Sequence, residues 1–117
     1  MSIKRISPGK RLSEAVVHGN TVYLAGQVAD DASLPAEGQM EQVVANIDRL
    51  LKEVGSDKSK LLSATVYVAD MAADFEAVNR VWDAWIDRTN PPARAAVQAP
   101  LARKEWLVEV VAIAALD

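Results

Sequence analysis

The sequence contains no cysteine and only one histidine, His18. Without cysteine there is neither a disulfide framework nor a thiol nucleophile. A single histidine excludes a His-rich metal site and leaves no spare base for a Ser/His/Asp arrangement. No base accompanies the serines and threonines, so no activated hydroxyl nucleophile is indicated. No metal and no cofactor are expected, and any chemistry has to rest on carboxylates, guanidinium groups, hydroxyls or backbone.

An excess of positive charge is also missing. Thirteen Lys and Arg face sixteen Asp and Glu, for a formal charge of −3. Neutralising a phosphate backbone takes a basic patch, which disfavours nucleic acid as a partner. A small anion needs only one local arginine. Long apolar runs are absent too: Met1 to Leu12 lacks an apolar h-region, and no stretch approaches the roughly 18 residues of a membrane span. A soluble cytoplasmic protein without a membrane partner is expected. Its 117 residues, half of them apolar, suit one domain over 1–117. A domain of that size buries about two-thirds of its unfolded surface.

The patterning is mixed α and β. Ala15–His18 and Thr21–Ala25 are rich in β-forming residues and flank Gly19–Asn20, which predicts a hairpin. Lys4–Ile6 is a weaker edge-strand candidate, ended by Pro8. Between Glu37 and Val54 the apolar residues Met40, Val43, Val44, Ile47, Leu50, Leu51 and Val54 form the stripe of a helix packed on one face, stopped by Gly55. Leu61–Val68 alternates as a strand, with Leu62, Ala64, Val66 and Val68 on one face. Phe75, Val78, Trp82 and Trp85 recur at helical spacing between Asp74 and Asp87, before Asn90-Pro91-Pro92 forbids continuation. Ala93–Gln98 and Trp106–Leu116 read as strands, the latter almost wholly apolar and therefore central. Two helices cover only one side of such a sheet, so self-association is expected to cover the other.

Charge stands out at Arg94, in PPARAAVQ, and at Glu109, in WLVEVVAIAA. If the last two strands form an antiparallel hairpin through a 99–104 loop, Gln98 pairs with Glu105 and Arg94 falls opposite Glu109 on one face. Such a pair is either a structural cross-strand salt bridge or a receptor whose guanidinium grips a small carboxylate in two places. His18 is expected as an exposed turn residue, and Trp82 and Trp85 as core.

The segments VHGNTVYLAGQVA, LLKEVGSD, LLSATVYVADMAADFEAVNRVWDAW, PPARAAV and VEVVAIAA, in this order and spacing, resemble the Rid family, the YjgF-like reactive intermediate deaminases. The resemblance implies an α+β fold: a single antiparallel or mixed sheet with two helices on one face, in a chorismate-mutase-like trimer with sites in clefts between subunits. In imine-hydrolysing members an arginine of the P-x-R type segment holds the substrate carboxylate, and a glutamate fifteen positions later places a water. The spacing of Arg94 and Glu109 matches. The resemblance thus implies hydrolytic deamination of 2-imino and enamino acids to 2-oxo acids and ammonia, with Arg94 and Glu109 as catalytic residues. Gly26 and Gln27 match the Gly-Gln pair whose backbone approaches the pocket. Two positions depart from the pattern: Leu12 stands where deaminating members usually have tyrosine, and Ala96 where many have cysteine. Ser13 and Arg11, from the same loop, are candidates for partial compensation of that tyrosine. Trp106 either caps the core or reaches a neighbouring subunit's cleft. The alternative function is a non-catalytic trimer that binds a small carboxylic acid in a regulatory or protective role. An endoribonuclease conflicts with −3 per chain, or −9 for three copies.

Overall fold

The computed structural model describes residues 2–117. Strands β1 (Ile3–Ile6), β2 (Ala15–His18) and β3 (Thr21–Leu24) precede helix α1 (Ala36–Glu53). A short 3-10 turn at Lys58–Lys60 leads into β4 (Leu61–Val68), helix α2 (Met71–Trp85), β5 (Ala93–Gln98) and β6 (Val108–Ala115). All six strands form one mixed sheet in the order β1-β2-β3-β6-β4-β5. The predicted elements are present, with ends displaced by a few residues. Pro35 rather than a side-chain cap starts α1, whereas the Asp70 carboxylate accepts from Ala73 N and opens α2.

Both helices cover the same sheet face. The buried stripe of α1 (Met40, Val43, Ile47, Leu50, Leu51) and Val78 and Trp82 of α2 share one core with Val22, Ala64, Val66, Val68, Val108, Val110, Ala112 and Ala114. Ser56, just past α1, donates to Ala115 O at 2.6 Å and ties the helix end to β6. Trp82 and Trp85 meet edge to face at 5.5 Å, and Trp85 Nε1 donates to Asp48, so both serve the helical layer. His18 is exposed beside the hairpin turn.

The opposite face carries no helix. Tyr23, Thr65, Tyr67, Val97, Glu109, Val111 and Ile113 lie there, with Tyr23 and Val97 46% and 41% exposed. The register shifts between Leu61 and Ser63, and Leu62 turns outward to 51% exposure instead of into the predicted apolar face.

The largest departure concerns the last two strands, which do not pair. β4 lies between them: β5 runs parallel to β4, with α2 as the crossover, and β6 runs antiparallel to both β3 and β4. The reason lies in burial. β6 alternates buried and half-buried along its length and belongs in the middle, whereas β5 is mostly exposed and takes the edge. The connection from 99 to 107 carries the chain across β4 rather than turning back as a hairpin.

Candidate active site

This strand order separates the two charges that the hairpin register placed face to face. Arg94 pairs with buried Ala64 and shares its helix-side face, while Glu109 pairs with Tyr67 on the open face. Within one chain the two side chains therefore project from opposite sides of the sheet, on strands that are not neighbours. The expected cross-strand salt bridge is absent, since no ion pair among the described residues includes Arg94 or Glu109. The Arg94 guanidinium instead lies over α2, 5.1 Å from the Trp82 ring centre and 5.9 Å from that of Phe75. Those aromatic faces favour its charge while leaving its hydrogen-bonding edge without a carboxylate partner. Ala96, two residues on, shares that face and packs against the core.

Glu109 belongs to a cleft of about 340 Å³ lined by Leu12, Glu14, Ala25, Gly26, Gln27, Val28, Asp30, Asn46, Arg49 and Glu109. Four of the residues singled out from sequence, Leu12, Gly26, Gln27 and Glu109, thus meet. The segment after β3 is held against β6 by a two-way backbone bridge, Gln27 N to Val110 O at 2.8 Å and Val110 N to Gln27 O at 3.1 Å. The buried Gln27 side chain closes over Gly26 by donating to Ala25 O at 2.9 Å. Gly26 consequently abuts the Glu109 carboxylate. A Cβ at position 26 would overlap Glu109 Oε2 and stand 2.9 Å from its Cδ, so glycine lets the carboxylate rest where it does. Leu12 is 58% exposed and supplies the cleft with an apolar wall.

Sequence reasoning missed Glu14, Asp30, Asn46 and Arg49. Asn46 and Arg49 lie one turn apart on α1, on the polar flank beside its buried stripe, the only signal they carry in the sequence. Asn46 Nδ2 donates to Val28 O at 3.2 Å and to Asp30 Oδ1 at 3.3 Å, and Arg49 approaches Glu14 at 3.8 Å. Arg11 and Ser13 do not line the cleft. Among the described residues no group of three acidic or histidine side chains is arranged to hold a metal ion.

Trp106 lies elsewhere, in a depression of about 450 Å³ with Gln98, Pro100, Leu101, Arg103 and Lys104. The Arg103 guanidinium sits 5.4 Å from its ring centre. A further hollow of about 300 Å³ on the open face joins Glu109 to Tyr67, Val111 and the 99–102 segment. Glu109 is thus reachable from two sides, and neither side holds Arg94.

What the arrangement can do chemically is limited and definite: the Glu109 carboxylate lies against the Gly26 backbone, in a cleft without nucleophile, where it can accept a proton or hold a water. No helix among the described residues is long and apolar enough to cross a membrane.

Comparison with known proteins gives the family. The family described as Endoribonuclease L-PSP matches residues 2–116. The chain is 45% identical over 115 residues to a RutC family protein of Haemophilus influenzae, covering 97% of this chain and 98% of that one. It is 38% identical over 111 residues to the 2-iminobutanoate/2-iminopropanoate deaminase of Capra hircus, covering 87% of this chain and 77% of that protein. A solved member of the YjgF protein family from Neisseria meningitidis superposes with a TM-score of 0.96 at 42% identity, covering 100% of this chain and 97% of the other. Matched along nearly its whole length in sequence and fold, the chain belongs to the Endoribonuclease L-PSP family, the YjgF or Rid family that its motifs resemble.

Proposed function

We propose that the protein is a hydrolytic deaminase of 2-imino acids and their enamine tautomers, acting as a homotrimer whose sites are shared between subunits. The observation that carries this reading is the split of the candidate residues. Leu12, Gly26, Gln27 and Glu109 gather in one cleft, while Arg94 and Ala96 sit on the edge strand β5, which their own chain cannot bring there. A neighbouring copy docked on the open face, presenting β5 to the cleft, would complete the set. The similarity to a 2-iminobutanoate/2-iminopropanoate deaminase supports the substrate class.

In this reading Arg94 of one copy grips the substrate carboxylate and polarises the adjacent C=N, and Glu109 of another orients a water. The water oxygen bonds to the imine carbon and one of its protons passes to nitrogen, giving a carbinolamine. That intermediate expels ammonia as the C=O forms, so water and imino acid become 2-oxo acid and ammonia. An imine hydrolyses unaided, so fixing the water and the carboxylate suffices, without a nucleophile or metal.

The test is hydrolysis of 2-iminopropanoate generated in situ. Wild type is expected to exceed the background rate, and Arg94→Ala to lose at least about thirtyfold, the equivalent of roughly 2 kcal/mol for a lost charge-assisted contact. Equal rates for the two, or no wild-type rate above background, would remove the proposal.

Leu12 favours a second reading. Its aliphatic side chain lines the cleft itself, where the family resemblance implies a tyrosine for deamination, and this suits a non-catalytic carboxylic-acid binder. That reading predicts saturable binding of 2-oxobutanoate by calorimetry without turnover of the imine. The net charge of −3 argues against RNA as substrate.

A further inference from the structure

The cleft that holds Glu109 carries charges beyond the one that the proposed reaction uses. Three carboxylates line it, Glu14, Asp30 and Glu109, against a single guanidinium, Arg49. Arg49 is the ion-pair partner of Glu14 at 3.8 Å, so that charge is locally matched. Asp30 and Glu109 are in no ion pair among the described residues. Asp30 is held by Asn46, whose amide bridges it to the backbone at Val28, and the Glu109 carboxylate lies against Gly26. Both negative charges therefore line the cleft without a cation of their own.

A ligand entering this cleft meets a field of net negative sign. The Arg94 of a neighbouring copy would match the carboxylate common to all 2-imino and 2-oxo acids, and adds nothing for a second anionic group. Leu12 and Val28 can accept an aliphatic stem, while a second carboxylate at the stem's end would stand among like charges. A cationic end would be attracted by the same groups. Specificity of this kind comes as much from the repulsion of the wrong ligand as from attraction of the right one.

We propose that the cleft discriminates among 2-imino and 2-oxo acids by the charge of their side chains, admitting cationic and neutral ones and rejecting dicarboxylic ones, with Asp30 as a specificity-determining residue. The inference rests on the reading of the cleft as a carboxylic-acid site, and it holds whether the bound acid is turned over or only bound. Asp30 is exposed in the single chain. Its effect is consequently the modest one of a solvated charge, on the order of two- to fivefold per charge pair.

Calorimetric titration with a cationic, a neutral and a dicarboxylic 2-oxo acid tests this: 5-guanidino-2-oxopentanoate, 2-oxohexanoate and 2-oxoglutarate. Wild type is expected to bind them in that order, with roughly a tenfold span between the first and the last at low salt. The span should shrink as salt is raised, because it is Coulombic. Asp30→Asn should narrow the span at least about twofold, and Arg94→Ala should weaken all three acids together. Binding of 2-oxoglutarate as tight as that of 2-oxohexanoate, or an Asp30→Asn span equal to the wild-type one, overturns the charge discrimination while leaving the carboxylic-acid site standing. Failure of all three acids to bind removes the site itself and this inference with it. Binding with the expected order but without imine turnover removes only the deaminase reading.

Discussion

A methyl group at position 26 would enter the space of the Glu109 carboxylate, which is the free end of a flexible side chain. Moving that end aside costs little packing, but it displaces the group proposed to hold the water. Gly26→Ala is therefore expected to change stability by less than about 1 kcal/mol and to lower imine turnover at least tenfold, measured by thermal melts beside the kinetic assay. Other carboxylates act on stability rather than chemistry. Asp57 is held below the usual carboxylate range first by the Ser59 hydroxyl and then by Ser59 N–H, and Asp31 is held down in the same way by Ser33. A depressed folded pKa means that the proton favours the unfolded chain. The resulting stability is present above the ordinary Asp value of about 3.9 and is lost as pH falls through the folded value. In Asp57→Asn the decline of Tm on acidification below about pH 4 should be shallower than in wild type.

At the scale of elements, Gln39 joins parts of the chain that are far apart in sequence. It is fully buried in α1, and its Nε2 donates to Ala32 O, Leu34 O and Glu105 O at 3.2, 3.0 and 2.9 Å. Its Oε1 accepts from Leu107 N at 2.9 Å, just before β6 begins. Gln39→Leu keeps the bulk but strands these backbone groups, and should cost about 3 kcal/mol in chemical denaturation. Gln39 escapes a reading of the sequence because a polar residue beside Met40 looks like the edge of the apolar stripe. The stripe itself is legible, since Met40, Val43, Ile47, Leu50 and Leu51 follow the period of an α-helix. Strand identity is legible as well, because the alternation in β4 and the apolar run of β6 are local properties. Strand order is not. Whether β6 returns beside β5 or crosses β4 depends on which strand gains most from the centre of the sheet, a comparison between distant segments. The site follows the same division. Glu109, Gly26 and Gln27 can be named from motif and spacing, whereas Asn46 and Arg49 reach the cleft only through the packing of α1 against the sheet.

For the molecule as a whole, the bare sheet face is the feature that a single chain leaves unresolved. Val111 and Ile113, half-buried on the central strand, share that face with Tyr23, Thr65 and Tyr67. Association of three copies through this face would remove apolar surface from water and bring a second chain's β5 to each cleft. Ile113→Glu places a charge at its middle and is expected to shift sedimentation from trimer toward monomer and to abolish turnover without unfolding the chain. Because Arg94 and Glu109 occupy opposite faces of one sheet, the shared site is the central claim, and complementation tests it most directly. Arg94→Ala and Glu109→Ala, each inactive alone, are unfolded and refolded together in equal amounts, with mixed trimers verified by native mass spectrometry. If each site takes its arginine from one copy and its glutamate from the next, random mixing restores about one quarter of the sites, and imine hydrolysis should return to about that fraction of the wild-type rate. Mixed trimers that remain as inactive as either variant would contradict a site built between subunits.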